Sequence, residues 1–139
     1  MAQTVEELMT RDPRTVESGD TLLDAARAMR DADIGNVIVM DGGQASGLLT
    51  DRDIVIRAVA EGRDPESTKV GEVASTGLES LEPDQSVDDA LRLMREKDIR
   101  RLPVVKDGSP VGILSLGDLA IEREPQSALA DISSAAPDQ

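Results

Sequence analysis

Thr4–Arg57 lies on Lys69–Glu122 without a gap. The offset that carries Thr21 onto Ser86 also aligns Val5 with Val70, Glu7 with Glu72, Asp24 with Asp89, Ala25 with Ala90, Met29 with Met94 and Asp33 with Asp98. It aligns Ile34 with Ile99, Val39 with Val104, Gly47 with Gly112, Leu49 with Leu114 and Asp53 with Asp118. A gapless repeat of this length means two copies of one supersecondary unit. Neither copy buries its apolar face alone, so the two are expected to pack together. A ligand site is expected where they meet.

Each copy reads in the same order. A short lead helix (Val5–Met9; Val70–Ala74) precedes a loop and a short strand (Arg14–Val16; Glu79–Leu81). An amphipathic helix follows, with Leu22, Ala25, Ala26 and Met29, or Val87, Ala90, Leu91 and Met94, at i, i+3, i+4 and i+7 on one face. Thr21–Asp24 and Ser86–Asp89 have the spacing of a capping box at the start of that helix. The apolar runs Asn36–Met40 and Leu102–Val105 read as buried strands. Asp41-Gly42-Gly43 and Lys106-Asp107-Gly108 turn the chain back through Ala45–Leu49 and Pro110–Leu114. A last helix is expected from about Asp51 to Ala60 and from about Leu116 to Arg123. The fold class is α/β (α+β), each copy β-α-β-β-α, the two packed as a pseudo-two-fold pair. The expected boundaries are 1–62 for the first domain, 63–68 for a polar linker, 69–124 for the second domain and 125–139 for a loose tail.

Composition removes whole classes of chemistry. The chain has no Cys, no His and no aromatic residue. Thiolate nucleophiles, His-dependent triads and the commonest metal ligands are therefore excluded, and no metal site is expected. Any bound base must lie between aliphatic side chains. The formal net charge of −13 repels phosphate backbones and anionic lipid surfaces. Nucleic acid and membrane are accordingly not expected as partners. Met1–Met9 lacks the basic and apolar blocks of a signal peptide, and no apolar run reaches the roughly 20 residues of a spanning helix. A soluble, cytoplasmic protein is the expectation.

Three segments carry a family resemblance. One is Gly47-Leu48-Leu49-Thr50-Asp51-Arg52-Asp53, repeated as Gly112-Ile113-Leu114-Ser115-Leu116-Gly117-Asp118. The second is Asp98-Ile99-Arg100-Arg101-Leu102-Pro103-Val104-Val105, and the third is Asp20-Thr21-Leu22 with Ala25 and Met29. Together, twice and in order, they resemble the CBS domain pair (the Bateman module), over nearly the whole chain except the tail. The stretch from Gly47 through Glu61-Gly62 resembles small stand-alone actinobacterial pairs, including the hypoxic-response type. The resemblance implies tandem CBS domains whose Gly-x-x-Thr/Ser-x-x-Asp segment binds AMP, ADP, ATP or S-adenosylmethionine. It assigns Asp53 and Asp118 to the ribose hydroxyls, and Thr50 and Ser115 to ribose or phosphate.

The chemistry of those residue types agrees. A carboxylate accepts hydrogen bonds from both hydroxyls of a cis-diol. A helix start offers N–H groups and a positive dipole end to phosphate. The same spacing is also that of a helix capping box, which needs no ligand. The two readings are compatible, since one Asp can cap the helix when the site is empty. The resemblance places Arg100 and Arg101 at the mouth of a cleft, as forked donors to phosphate oxygens. Pairing with surface acids is the alternative. Where the second copy has Ile99-Arg100-Arg101-Leu102-Pro103, the first has Ile34-Gly35-Asn36-Val37-Ile38, so the two sites cannot be equivalent. The resemblance also implies that each site borrows from the other copy. Thr10–Pro13 and Ile34–Asn36 would line the Asp118 site, and Ser75–Leu78 with Ile99–Arg100 would line the Asp53 site. Ile34 and Ile99 could flank a base or be ordinary core.

The expected function is a regulatory module that senses an adenosine-containing small molecule and acts on a separate, unidentified effector protein as a homodimer. No cofactor is required; an adenine nucleotide or S-adenosylmethionine is the regulatory ligand. The alternative is a ligand-free homodimeric interaction scaffold. An enzyme is not expected, because nothing groups the acid–base residues that are present.

Overall fold

The structure, a computed structural model, describes residues 3–75, 79–117 and 119. In chain order its elements are α1 (Val5–Leu8), β1 (Thr10–Arg11), β2 (Thr15–Glu17), α2 (Leu22–Ala32), β3 (Asn36–Asp41), β4 (Gln44–Thr50), α3 (Asp51–Ile54), α4 (Val87–Lys97), β5 (Arg101–Lys106) and β6 (Ser109–Ser115). A π-helical turn, Val55–Val59, extends α3, and a 3₁₀ turn covers Val70–Glu72. The chain divides into two compact units. A continuous unit is Arg14–Leu78. A split unit joins Met1–Pro13 to Glu79–Gln139.

In the continuous unit the sheet order is β2-β3-β4, with β2 parallel and β4 antiparallel to β3. α2 crosses between β2 and β3. Its Leu22, Ala25 and Met29 pack on Val16, Val37, Val39 and Leu49. Thr21 accepts from the Asp24 N–H at 3.1 Å, and Asp24 accepts in return from Thr21 N at 3.3 Å, so the expected box is formed. The helix stops at Asp33, which takes the left-handed conformation (φ 57°) that a short polar side chain tolerates.

In the split unit the order is β1-β6-β5, all antiparallel. Val87, Ala90 and Met94 of α4 pack on Leu81, Leu102, Val104 and Leu114. Ser86 accepts from Asp89 N at 3.1 Å, and α4 also ends on a left-handed Asp, Asp98. The expected strand Glu79–Leu81 is reduced to one parallel bridge, Leu81 to Val104. Pro83, two residues on, has no N–H to give to a ladder.

The compact units divide differently from the expected 1–62 and 69–124. Each lead segment folds with the body of the other repeat. Val5 and Met9 fill the core under α4, and β1 pairs with β6 through Thr10–Ile113 and Arg11–Gly112. Reciprocally, Val70, Val73 and Ala74 fill the core under α2, and Ser75 bridges to Leu48 on β4. The cause is visible at two glycines. A Cβ on Gly112 would stand 2.8 Å from the Thr10 carbonyl oxygen, and one on Gly47 would collide with the Ser75 carbonyl. Only glycine lets the incoming segment lie so close to the strand.

Residues 63–68, expected as linker, are folded against the start of α2. Leu22 N donates to the Thr68 carbonyl at 2.9 Å, and Leu23 N donates to that of Pro65 at 3.1 Å. Thr68 is buried and its hydroxyl donates to the Asp64 carbonyl at 2.7 Å. The second lead helix is a 3₁₀ turn over Val70–Glu72, with the poor helix former Gly71 in its middle. The tail 125–139 and most of the helix expected at Leu116–Arg123 lie outside the described residues. Leu116, Gly117 and Leu119 are helical.

Candidate functional site

Thr50 ends β4 and Asp53 is the third residue of α3. Thr50 Oγ1 accepts from Asp53 N at 3.1 Å, and Asp53 Oδ2 accepts from Thr50 N at 3.0 Å. The capping reading of this segment is therefore realised. It uses one carboxylate oxygen of Asp53. The Asp53 side chain is 15% exposed, so it is within reach of solvent but held in place.

The loop before β3 is tied to the same helix start. Asn36 stands opposite Thr50 in the β3–β4 ladder. The Asp51 N–H, one of the helix-start donors without an intrahelical partner, donates to the Gly35 carbonyl at 2.9 Å. Thr50, Asp53, Gly35 and Asn36 are thus brought together within one unit. Ile34 is packed against the continuous unit's core.

The split unit repeats this arrangement with different side chains. Arg101 stands opposite Ser115 in the β5–β6 ladder, and Leu116 N donates to the Arg100 carbonyl at 2.7 Å. Arg100 is exposed and Arg101 half-buried. Ile99 is packed against the split unit's core. Asp118 lies outside the described residues. Of the expected linings, Ser75 bridges to Leu48, two residues before Thr50, and Thr10 pairs with Ile113, two residues before Ser115. Thr76–Leu78 lie outside the described residues.

Sequence reasoning missed Arg57. Its Nε lies 3.9 Å from Asp53 Oδ1, and its Nη1 donates to the Val73 carbonyl at 3.1 Å. The i, i+4 spacing from Asp53 was the available signal. Nothing in the sequence pointed to Val73.

The arrangement offers a carboxylate to a diol, a hydroxyl and backbone N–H groups at a helix start, and in one unit two guanidinium groups. Among the described residues no group of three or more Asp or Glu could hold a metal ion, and none has a helix long and apolar enough to cross a membrane.

Comparison with known proteins follows the same pattern. The family model for the CBS domain matches residues 5–59 and 70–123. CBS domain-containing protein YhcV of Bacillus subtilis is 43% identical over 133 residues, which are 93% of this chain and 94% of that one. Hypoxic response protein 1 of Mycobacterium tuberculosis is 36% identical over 118 residues, 84% of this chain and 82% of its own. The crystal structure of the CBS domain pair of protein MJ0100, in complex with 5′-methylthioadenosine and S-adenosyl-L-methionine, superposes with a TM-score of 0.80 at 22% identity. It covers 91% of this chain and all of that one, and the likeness is one of fold.

Proposed function

The chain belongs to the CBS domain family, and we propose that it is a regulatory module that binds AMP, ADP, ATP or S-adenosylmethionine and modulates a separate partner protein. One observation carries this reading. The segment from Gly47 to Asp53 ends a strand on a capped helix start, with a held, partly exposed carboxylate beside the Gly35–Asn36 loop. A carboxylate so placed can accept from both hydroxyls of a ribose. The repeat extends the same role to Asp118. Arg100 and Arg101 beside Ser115 are the donors suited to phosphate oxygens. The MJ0100 complex supports the ligand class at the level of the fold.

Calorimetric titration with AMP, ADP, ATP, S-adenosylmethionine and NAD tests the reading. At least one adenosine ligand is expected to bind. Asp53→Asn and Arg100→Ala should each weaken it about tenfold, the loss expected for a hydrogen bond to a charged group. Absence of heat at millimolar ligand, with folded protein, removes the reading. Turnover of any of these ligands by the pure protein would replace it with an enzyme.

A second reading is a ligand-free homodimeric scaffold. Its support is the π-helical turn, where Val55, Ile56 and Val59 are 53%, 49% and 62% exposed. Adjoining apolar side chains left in water mark contact surfaces, and two-fold dimers are the commonest assembly. Light scattering at dilute protein decides it, and a clean monomer ends this reading.

A further inference from the structure

Asp53 and the second lead segment are joined through one side chain. Asp53 Oδ2 is occupied by the Thr50 N–H, and its other oxygen faces Arg57 Nε at 3.9 Å. Arg57 Nη1 then donates to the Val73 carbonyl at 3.1 Å. Val73 caps the 3₁₀ turn Val70–Glu72, where carbonyls run out of intrahelical donors. A guanidinium, with several donors in a fixed fork, can serve an acid and a carbonyl at once. Two residues further on, Ser75 N donates to the Leu48 carbonyl at 3.1 Å, on the strand that leads back to Thr50. Asp53, Arg57, Val73, Ser75 and β4 therefore close a ring of contacts inside the continuous unit.

The second repeat has no such side chain. At the position equivalent to Arg57 stands Glu122, which is an acceptor when ionised and repels a neighbouring carboxylate. In the sequence, the Asp–Arg pair at this spacing occurs in the first repeat.

The geometry points to Arg57 as a positioning residue that couples the Asp53 carboxylate to the seating of the second lead segment. A diol gripping Asp53 competes for the oxygen that faces Arg57, weakens the arginine's anchor, and loosens Val73–Ser75. The ligand half of this inference rests on the reading of Asp53 proposed above, whereas the coupling itself is present without ligand. The Asp53–Arg57 pair is partly in water, with Arg57 54% exposed, so it contributes little stability of its own. Its effect is local: it sets how often the segment frays.

Amide exchange followed by NMR on the full chain, without ligand, tests the coupling. Arg57→Met keeps the aliphatic stem and removes every donor. Exchange at Ser75 N–H should rise about fivefold, less than for a buried charge-assisted hydrogen bond because Arg57 is half in water. Exchange at Ile38 N–H, which donates to the Arg14 carbonyl in the same unit, should not change. Asp53→Asn retains an oxygen to cap Thr50 but loses the charge, and should speed Ser75 about twofold in the wild-type background and not at all in Arg57→Met. Arg57→Lys should recover part of the protection.

Equal rises at Ser75 and Ile38, no rise at Ser75, or an undiminished Asp53→Asn effect without Arg57 would each overturn the coupling. Saturation with AMP should then speed Ser75 exchange in the wild type and leave Arg57→Met unchanged. Protection of Ser75 by bound AMP would overturn the competition for Asp53. If AMP, ADP, ATP and S-adenosylmethionine all fail to bind, the nucleotide reading falls, and the ligand-free cycle still decides the coupling.

Discussion

Across the β3–β4 ladder Asn36 faces Thr50; across β5–β6, at the equivalent place, Arg101 faces Ser115. Beneath these positions the two units agree closely. Val37, Val39 and Leu49 are buried in one, and Leu102, Val104 and Leu114 in the other. Both ladders shift register at the same place, between Val39 and Met40 and between Val104 and Val105. Both long helices end on a left-handed Asp. The units differ above, where Gly35-Asn36 is replaced by Arg100-Arg101, and at the lead helices, where α1 is matched by a 3₁₀ turn. Burial on one face fixes strand register, since a slip of one residue would turn every core side chain outward. Positions at the helix start carry no such constraint. They are cationic in one copy and neutral in the other, so one fold presents two unlike surfaces.

The largest expected effect tests whether the exchanged lead segments belong where the structure puts them. Leu49 and Leu114 are equivalent and fully buried. Leu49→Ala and Leu114→Ala should each cost about 3 kcal/mol, from lost burial and the cavity left behind. The informative readout is which amides loosen with them. Leu114→Ala should speed exchange at Met9 N–H, which donates to the Val5 carbonyl in α1, while leaving Ala74 N–H largely protected. Leu49→Ala should do the reverse. If each substitution instead loosened the lead segment of its own repeat, the exchange of segments would be refuted.

A smaller effect sharpens the comparison at the two close approaches. Gly47→Ala and Gly112→Ala should each destabilise by about 1–3 kcal/mol, the usual cost of forcing a group into packed space. Gly47→Ala should cost more. Its new methyl meets the Ser75 backbone, whereas part of the crowding at Gly112 is against the flexible Met9 thioether. Denaturant unfolding of both variants gives the order, and equal midpoints would mean that the backbone moves as readily as the side chain.

The sequence carried the pattern of strands and helices because that pattern is written in buried positions. The i, i+3, i+7 positions of α2 and α4 and the strand alternation around Val39 and Val104 are local facts. The helix cap at Thr50–Asp53 was readable for the same reason, as residues three apart in a chain cannot avoid one another at a helix start. What could not be read was long-range. Gly47 and Gly112 open the Gly-x-x-Thr/Ser-x-x-Asp segments, and the structure adds for each a packing duty against a segment far away in the chain. Lead segments as short as Val5–Leu8 and Val70–Glu72 have no periodicity long enough to say which core they enter. Arg57 needed the position of Val73, which depends on that same exchange.

The smallest effect concerns the lead segments in acid. Glu7 Oε1 accepts from the Thr4 N–H at 2.8 Å and from its hydroxyl at 3.1 Å. Glu72 Oε2 accepts from Lys69 N at 2.8 Å, and its other oxygen accepts from Arg63. These bonds favour the ionised carboxylates. The Thr4 backbone donor, then its hydroxyl, holds Glu7 below the ordinary glutamate value; the Lys69 backbone donor, aided by Arg63 against a desolvation cost, does the same for Glu72. A carboxyl whose folded value is depressed stabilises the fold above its unfolded value and loses that contribution as pH falls through the folded one. Both carboxylates are in solvent, so the loss is small and local. Side-chain NMR titration should place both midpoints below that of an ordinary glutamate. Glu7→Gln and Glu72→Gln should each flatten the acid limb of the exchange profile of their own lead segment, at Met9 and at Ala74 respectively. Both carboxylates sit in the exchanged segments, so a response at one segment and not the other would show that the units, alike in register, hold their borrowed pieces by different means.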